Sequence, residues 1–99
     1  MNKHEYLLTC LAEECNEVAQ RISKALRFGL DEVQPDQPLN NRERITEELH
    51  DLNAVAVLCE RAGLVISVMP NERTIERKRS KIEYFKRISR NQGTLQEPA

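Results

Sequence analysis

Tryptophan is absent from this chain, phenylalanine and tyrosine occur twice each, and glycine only three times. With 39% hydrophobic residues in 99 and so few large rings, the chain can form one domain with a thin core. Self-association is the expected remedy. No apolar run is long enough to span a bilayer, and the N-terminus carries no apolar signal-peptide segment. A membrane partner is therefore not expected, and the expected location is the cytoplasm. A surplus of positive charge is also lacking: 15 Lys and Arg stand against 16 Asp and Glu, for a net charge of −1. That balance speaks against nucleic acid as a partner, since such proteins neutralise phosphates with a basic surface. Cysteine is sparse and odd in number. Cys10, Cys15 and Cys59 have no zinc-ligand spacing and make no disulfide framework, so they are expected to be reduced, mostly buried small hydrophobes.

What is present is helical periodicity. Over residues 4–28 the apolar positions Leu8, Leu11, Cys15, Val18, Ile22 and Ala25 alternate between spacings of three and four, and Gly29 stands where a C-terminal cap belongs. Pro35 and Pro38 mark residues 30–39 as a loop. Asn40 followed by Glu43 resembles a capping box opening a second helix to about residue 62, with Ile45, Leu49, Leu52, Ala56 and Cys59 as its stripe. A short apolar linker at 64–69 ends at Pro70. A third helix is expected over about 71–90, with Ile75, Ile82, Phe85 and Ile88 on one face. The domain is thus 1–90, and 91–99 is a polar tail expected to be mobile. The fold class is all-α, a bundle of three main helices per chain.

The chemistry lies in two acidic clusters. Glu14 with Glu17, and Glu48 with Asp51, are three residues apart and share a helix face. Like charges at that spacing repel, and Glu48 falls inside the apolar arc of its helix, where a carboxylate is costly unless paired or bound to metal. If the first two helices pack antiparallel, the four carboxylates can converge on a hard divalent cation, for which magnesium is the natural choice. Cations that could face an anionic ligand are Lys78, in the apolar series of the third helix, and Lys81 one turn on. Lys24 and Arg27 at the end of the first helix could add to them, although they also suit the helix dipole. A polyphosphate held with magnesium needs such cations. Glu47-x-x-His50 has the spacing found in di-iron bundles, but it occurs once, where such sites require two copies.

Glu13-Glu14-x-x-Glu17 followed by Glu48-x-x-Asp51 resembles the signature of the MazG-like all-α nucleoside triphosphate pyrophosphohydrolases. The run Lys24-Ala25-Leu26-Arg27-Phe28-Gly29 and Lys78-x-x-Lys81-x-x-Tyr84 look most like short phage-encoded members, and the resemblance extends over the three helices. It implies hydrolysis of a nucleoside triphosphate between the α and β phosphates, giving monophosphate and pyrophosphate. By this resemblance Glu14, Glu17, Glu48 and Asp51 hold magnesium, with manganese as the substitute. Glu13 is an auxiliary carboxylate, so that Glu13 or Glu14 serves the attacking water. Lys78 and Lys81 hold phosphate, with Asn53 and Tyr84 as weaker neighbours. The resemblance also implies a homodimer or homotetramer. The long segment between the acidic motifs leaves the base open, as do Phe28 and Tyr6, which could stack on one or simply pack. Two other readings compete: a non-catalytic helical interaction protein, and a di-iron carboxylate bundle.

Overall fold

The computed structural model describes residues 1–96 and contains α1 (Lys3–Phe28), α2 (Asn41–Arg61) and α3 (Glu72–Asn91), with no strand among the described residues. Each helix starts where a side chain satisfies backbone N–H groups left over in the first turn. At α2 the expected capping box is formed: the Glu43 N–H donates to Asn40 Oδ1 at 2.8 Å, and the Asn40 N–H donates to Glu43 Oε1 at 3.1 Å. Asn2 and Glu5 form a second box at α1, and Asn71 caps α3 through the Thr74 N–H at 2.9 Å. At the other end of α1, Gly29 takes φ +100° and its N–H donates to Ala25 O at 2.8 Å. That backbone region strains any residue with a Cβ, which is why glycine ends the helix.

The chain divides into two compact units, Met1–Val68 and a second from Met69 onward. In the first, α1 and α2 pack on each other. Gly29 at the end of α1 meets Asn41 at the start of α2, while Glu14 in mid-α1 lies beside Glu48 and Asp51. The partners run in opposite senses, so the pair is an antiparallel αα-hairpin.

The connecting segment is ordered by hydrogen bonds. The Arg42 N–H reaches Leu30 O at 2.9 Å, the Asn41 N–H reaches Glu32 O at 3.1 Å, and Val33 pairs with Asn40 in a single antiparallel bridge. Asn41 is 1% exposed, and its amide nitrogen donates to Gly29 O and to Glu32 Oε1, both at 2.8 Å. Replacing Asn41 with Leu removes the donor and leaves the inward carbonyl of Gly29 without it. The expected loss is about 1–3 kcal/mol of unfolding free energy by urea titration.

The core is as thin as the composition suggests. Ala25 and Cys59 are the buried hydrophobic residues among those described. The α1 stripe divides: Leu11, Val18 and Ala25 turn inward, whereas Leu8, Cys15 and Ile22 are exposed. The expectation for the cysteines needs correcting, because Cys59 is buried, Cys10 half-buried and Cys15 exposed, although all three are free.

In the second unit the apolar face of α3 (Ile75, Ile82, Phe85 and Ile88) is exposed. The beginning of the expected tail is tied back to the helix, since the Thr94 N–H donates to Ser89 O at 2.9 Å and Leu95 is half-buried. Pro98, part of that tail, lies outside the described residues. No helix among the described residues is long and apolar enough to cross a membrane.

Candidate metal centre

Three of the four paired carboxylates meet. One oxygen each from Glu14, Glu48 and Asp51 lies within 4.8 Å of the others. Glu48 and Asp51 are one helical turn apart on α2 and point the same way. Glu14 comes from α1 across the hairpin, on the face that also carries Leu11, Val18 and Ala25 inward. Glu14 and Glu48 are half-buried and Asp51 is exposed, which leaves the group open to solvent on one side.

Burial pushes the Glu14 carboxyl above its ordinary 4.5, and the charges of Asp51, Glu48, Glu17 and Glu13 push it further in the same direction. No lysine or arginine forms an ion pair with Glu14, Glu48 or Asp51 among the described residues. Converging carboxylates without a cationic partner are a donor set suited to a hard divalent cation, which takes oxygen ligands and keeps water in its remaining positions.

The other expected site residues fall in different places. Glu17 is exposed and outside the three-carboxylate group, close enough to affect Glu14 by its charge. Glu13 is likewise exposed. Lys24 is half-buried, whereas Arg27 lays its guanidinium over the Phe28 ring, 4.9 Å from the centroid. That contact occupies Phe28, so the ring is already stacked on a cation. Asn53 is exposed, and His50, also exposed, is not part of the carboxylate group. The histidine a di-iron site would need is therefore missing from the one cluster that could hold metal among the described residues.

Lys78, Lys81 and Tyr84 are exposed residues of α3, in the second unit. The two lysines line a groove of about 550 Å³ with Ile82, Phe85, Lys86 and Leu95. Tyr84 is packed edge to face on Phe85 at 5.2 Å, with Arg87 over its ring at 5.9 Å. It is thus already engaged by its own helix.

Sequence reasoning overlooked Arg21. Its Nη1 is buried and has no hydrogen-bond partner. The signal was available, since Arg21 lies seven residues beyond Glu14, two turns along the same face. A lone cation one turn past the acidic cluster carries no motif of its own.

Among known proteins, no curated protein and no solved structure matches the chain significantly. The family description "MazG nucleotide pyrophosphohydrolase domain" matches residues 2–67. That span holds α1, the connecting segment, α2 and all three converging carboxylates, and it ends before α3. The chain belongs to the MazG nucleotide pyrophosphohydrolase domain family.

Proposed function

We propose that this protein is a magnesium-dependent nucleoside triphosphate pyrophosphohydrolase, converting a ribo- or deoxyribonucleoside triphosphate and water into monophosphate and pyrophosphate. The observation that carries this reading is the convergence of Glu14, Glu48 and Asp51 within 4.8 Å with no cationic partner among the described residues. Membership of a pyrophosphohydrolase family supports the reaction class.

Glu14, Glu48 and Asp51 would hold magnesium or, in its place, manganese, with Glu17 at the margin of the set. When bound, the cation supplies Lewis-acid polarisation of phosphoryl oxygens and a more acidic bound water. The chain's own carboxylates would orient the attacking water. Glu13, exposed beside Glu14, or Glu14 itself would accept the proton as the water oxygen bonds to the α-phosphorus. The bond to the bridging oxygen then breaks and pyrophosphate leaves. Lys24 and Arg27 in the first unit, and Lys78 and Lys81 in the second, are the candidate cations for phosphate charge. Asn53 and Tyr84 are the weaker candidates for nucleotide contact.

A homodimer or homotetramer fits the exposure of Leu8, Ile22, Leu49 and Leu58 on the hairpin, a large apolar surface for a single small chain. A cytoplasmic role in control of the nucleotide pool, or in phage nucleotide metabolism, follows from the substrate class.

The test is a panel of nucleoside triphosphates incubated with magnesium and separated by anion exchange. Monophosphate and pyrophosphate in equal amounts are expected. Diphosphate with orthophosphate would mean that the other anhydride bond is cut.

A further inference from the structure

We propose that Arg21 binds phosphate oxygens of the substrate in a cavity that adjoins the metal centre, a proposal that rests on the pyrophosphohydrolase reading. The cavity measures about 310 Å³ and is lined by Arg21, Gln37, Leu39, Arg44, Glu47 and Glu48 among others. Glu48 belongs to both the cavity and the carboxylate group, so the two are contiguous. Its volume is at the low end for ligand sites, enough for part of a nucleotide.

Arg21 is half-buried, has no ion pair among the described residues, and carries a buried Nη1 without an acceptor. A guanidinium N–H removed from water and left unpaired costs free energy, which a ligand oxygen would recover. Arg44, the second cation of the cavity, is already held: its Nη1 donates to Gln34 Oε1 at 2.8 Å. The connecting segment thereby holds Arg44, while Arg21 has no hydrogen-bond partner among the described residues. A planar fork of donors matches a phosphate group, which can accept two parallel hydrogen bonds.

Position along the helix agrees. Arg21 lies seven residues from Glu14, about 10 Å along the axis at 1.5 Å per residue. That is a separation an extended polyphosphate can bridge, with one phosphoryl group at the carboxylates and another at the guanidinium. Glu47 and Glu48 make the cavity unfavourable for a bare anion. When a phosphate enters with a divalent cation, the cation would offset the charge of Glu48 and the phosphate would meet Arg21 beyond it, so cation and anion should bind together. The site also places a phosphate-binding cation inside the span that the family description matches.

Calorimetric titration of the full chain with inorganic pyrophosphate tests this, with and without magnesium. The wild type should bind pyrophosphate only when magnesium is present. Arg21→Met should weaken that binding by about 10- to 100-fold, the loss typical of a hydrogen bond to a charged group. It should leave the rise in melting temperature caused by magnesium alone unchanged. Arg21→Lys, which keeps the charge and loses the fork, should fall between; it carries the test if the Met variant does not fold.

Pyrophosphate affinity equal to wild type in either folded variant overturns the proposal, as does loss of the magnesium response in Arg21→Met. A loss of nucleoside monophosphate affinity with pyrophosphate affinity intact also overturns it, by assigning the cavity to the nucleoside. Binding of magnesium pyrophosphate through Arg21 without hydrolysis of any triphosphate would keep this site and remove the pyrophosphohydrolase reading. Hydrolysis that is indifferent to Arg21 would do the reverse.

Discussion

Glu48→Gln is expected to abolish the proposed magnesium-dependent hydrolysis, with kcat/KM falling by at least about 1000-fold. Removing one preorganised contact to developing charge typically costs about 100- to 1000-fold in kcat. The Glu48 substitution should exceed that, because it removes a negative charge from the three-carboxylate group proposed to hold the cation. The substitution keeps side-chain volume and hydrogen-bonding capacity, so the helix should persist. The measurement is steady-state hydrolysis beside a far-ultraviolet circular dichroism spectrum. A folded variant with more than a few per cent of wild-type activity would show that Glu48 does not hold the metal.

Glu14→Gln should separate stability from function. The folded-state pKa of Glu14 is raised, first by burial and then by Asp51, Glu48, Glu17 and Glu13. The native state therefore holds the Glu14 proton to a higher pH than the unfolded chain does. Stability linked to Glu14 is complete below the unfolded value, close to 4.5, and is lost as pH rises through the raised folded value. At neutral pH the metal-free protein carries the full penalty of the crowded carboxylates. Glutamine has no charge to repel, so the metal-free variant should melt at or above the wild-type temperature at pH 7.

Magnesium reverses the order. A ligand held at about 100 times its dissociation constant adds about 2.7 kcal/mol to a protein that binds it only when folded. In a domain of this size that is about 10 °C or more in melting temperature. The wild type should gain this rise, and Glu14→Gln should gain little and hydrolyse nothing measurable. Thermal melts at pH 5 and pH 7, with magnesium and with chelator, check both parts. A metal-free variant clearly less stable than wild type at pH 7 would mean that Glu14 makes a structural contact outweighing its repulsion.

Much of this site was legible because its elements are local. The cap at Asn40, the end of α1 at Gly29, and the shared face of Glu48 and Asp51 depend on neighbours a turn away or less. The same locality explains where reading failed. The stripe on α1 has Leu8, Cys15 and Ile22 at helical spacing just as it has Leu11, Val18 and Ala25. Only the second set turns toward α2. Periodicity marks an apolar helix surface wider than one partner can cover. It cannot say which edge the partner takes.

Glu17 and Arg21 illustrate the consequence. Glu17 pairs with Glu14 by spacing, yet the approach of α2 leaves it outside the three-carboxylate group. Arg21 has no motif, yet its Nη1 is buried and its side chain shares a cavity with Gln37, Pro38 and Leu39 of the connecting segment. Both results come from how the hairpin closes, which Asn41 sets by bonding to Gly29 and Glu32 across the turn.

The sequence by itself determined three helices, the caps at Gly29 and Asn40, and two acidic pairs that suit a cation. It did so because hydrogen bonding at i, i+3 and i+4 is encoded within a few residues. Only the tertiary structure decided that Glu14, Glu48 and Asp51 meet, that Glu17 lies outside that group, and that Arg21 is half-buried with its Nη1 out of solvent. Those outcomes depend on the packing of α1 against α2, a contact between residues tens of positions apart that no local pattern specifies.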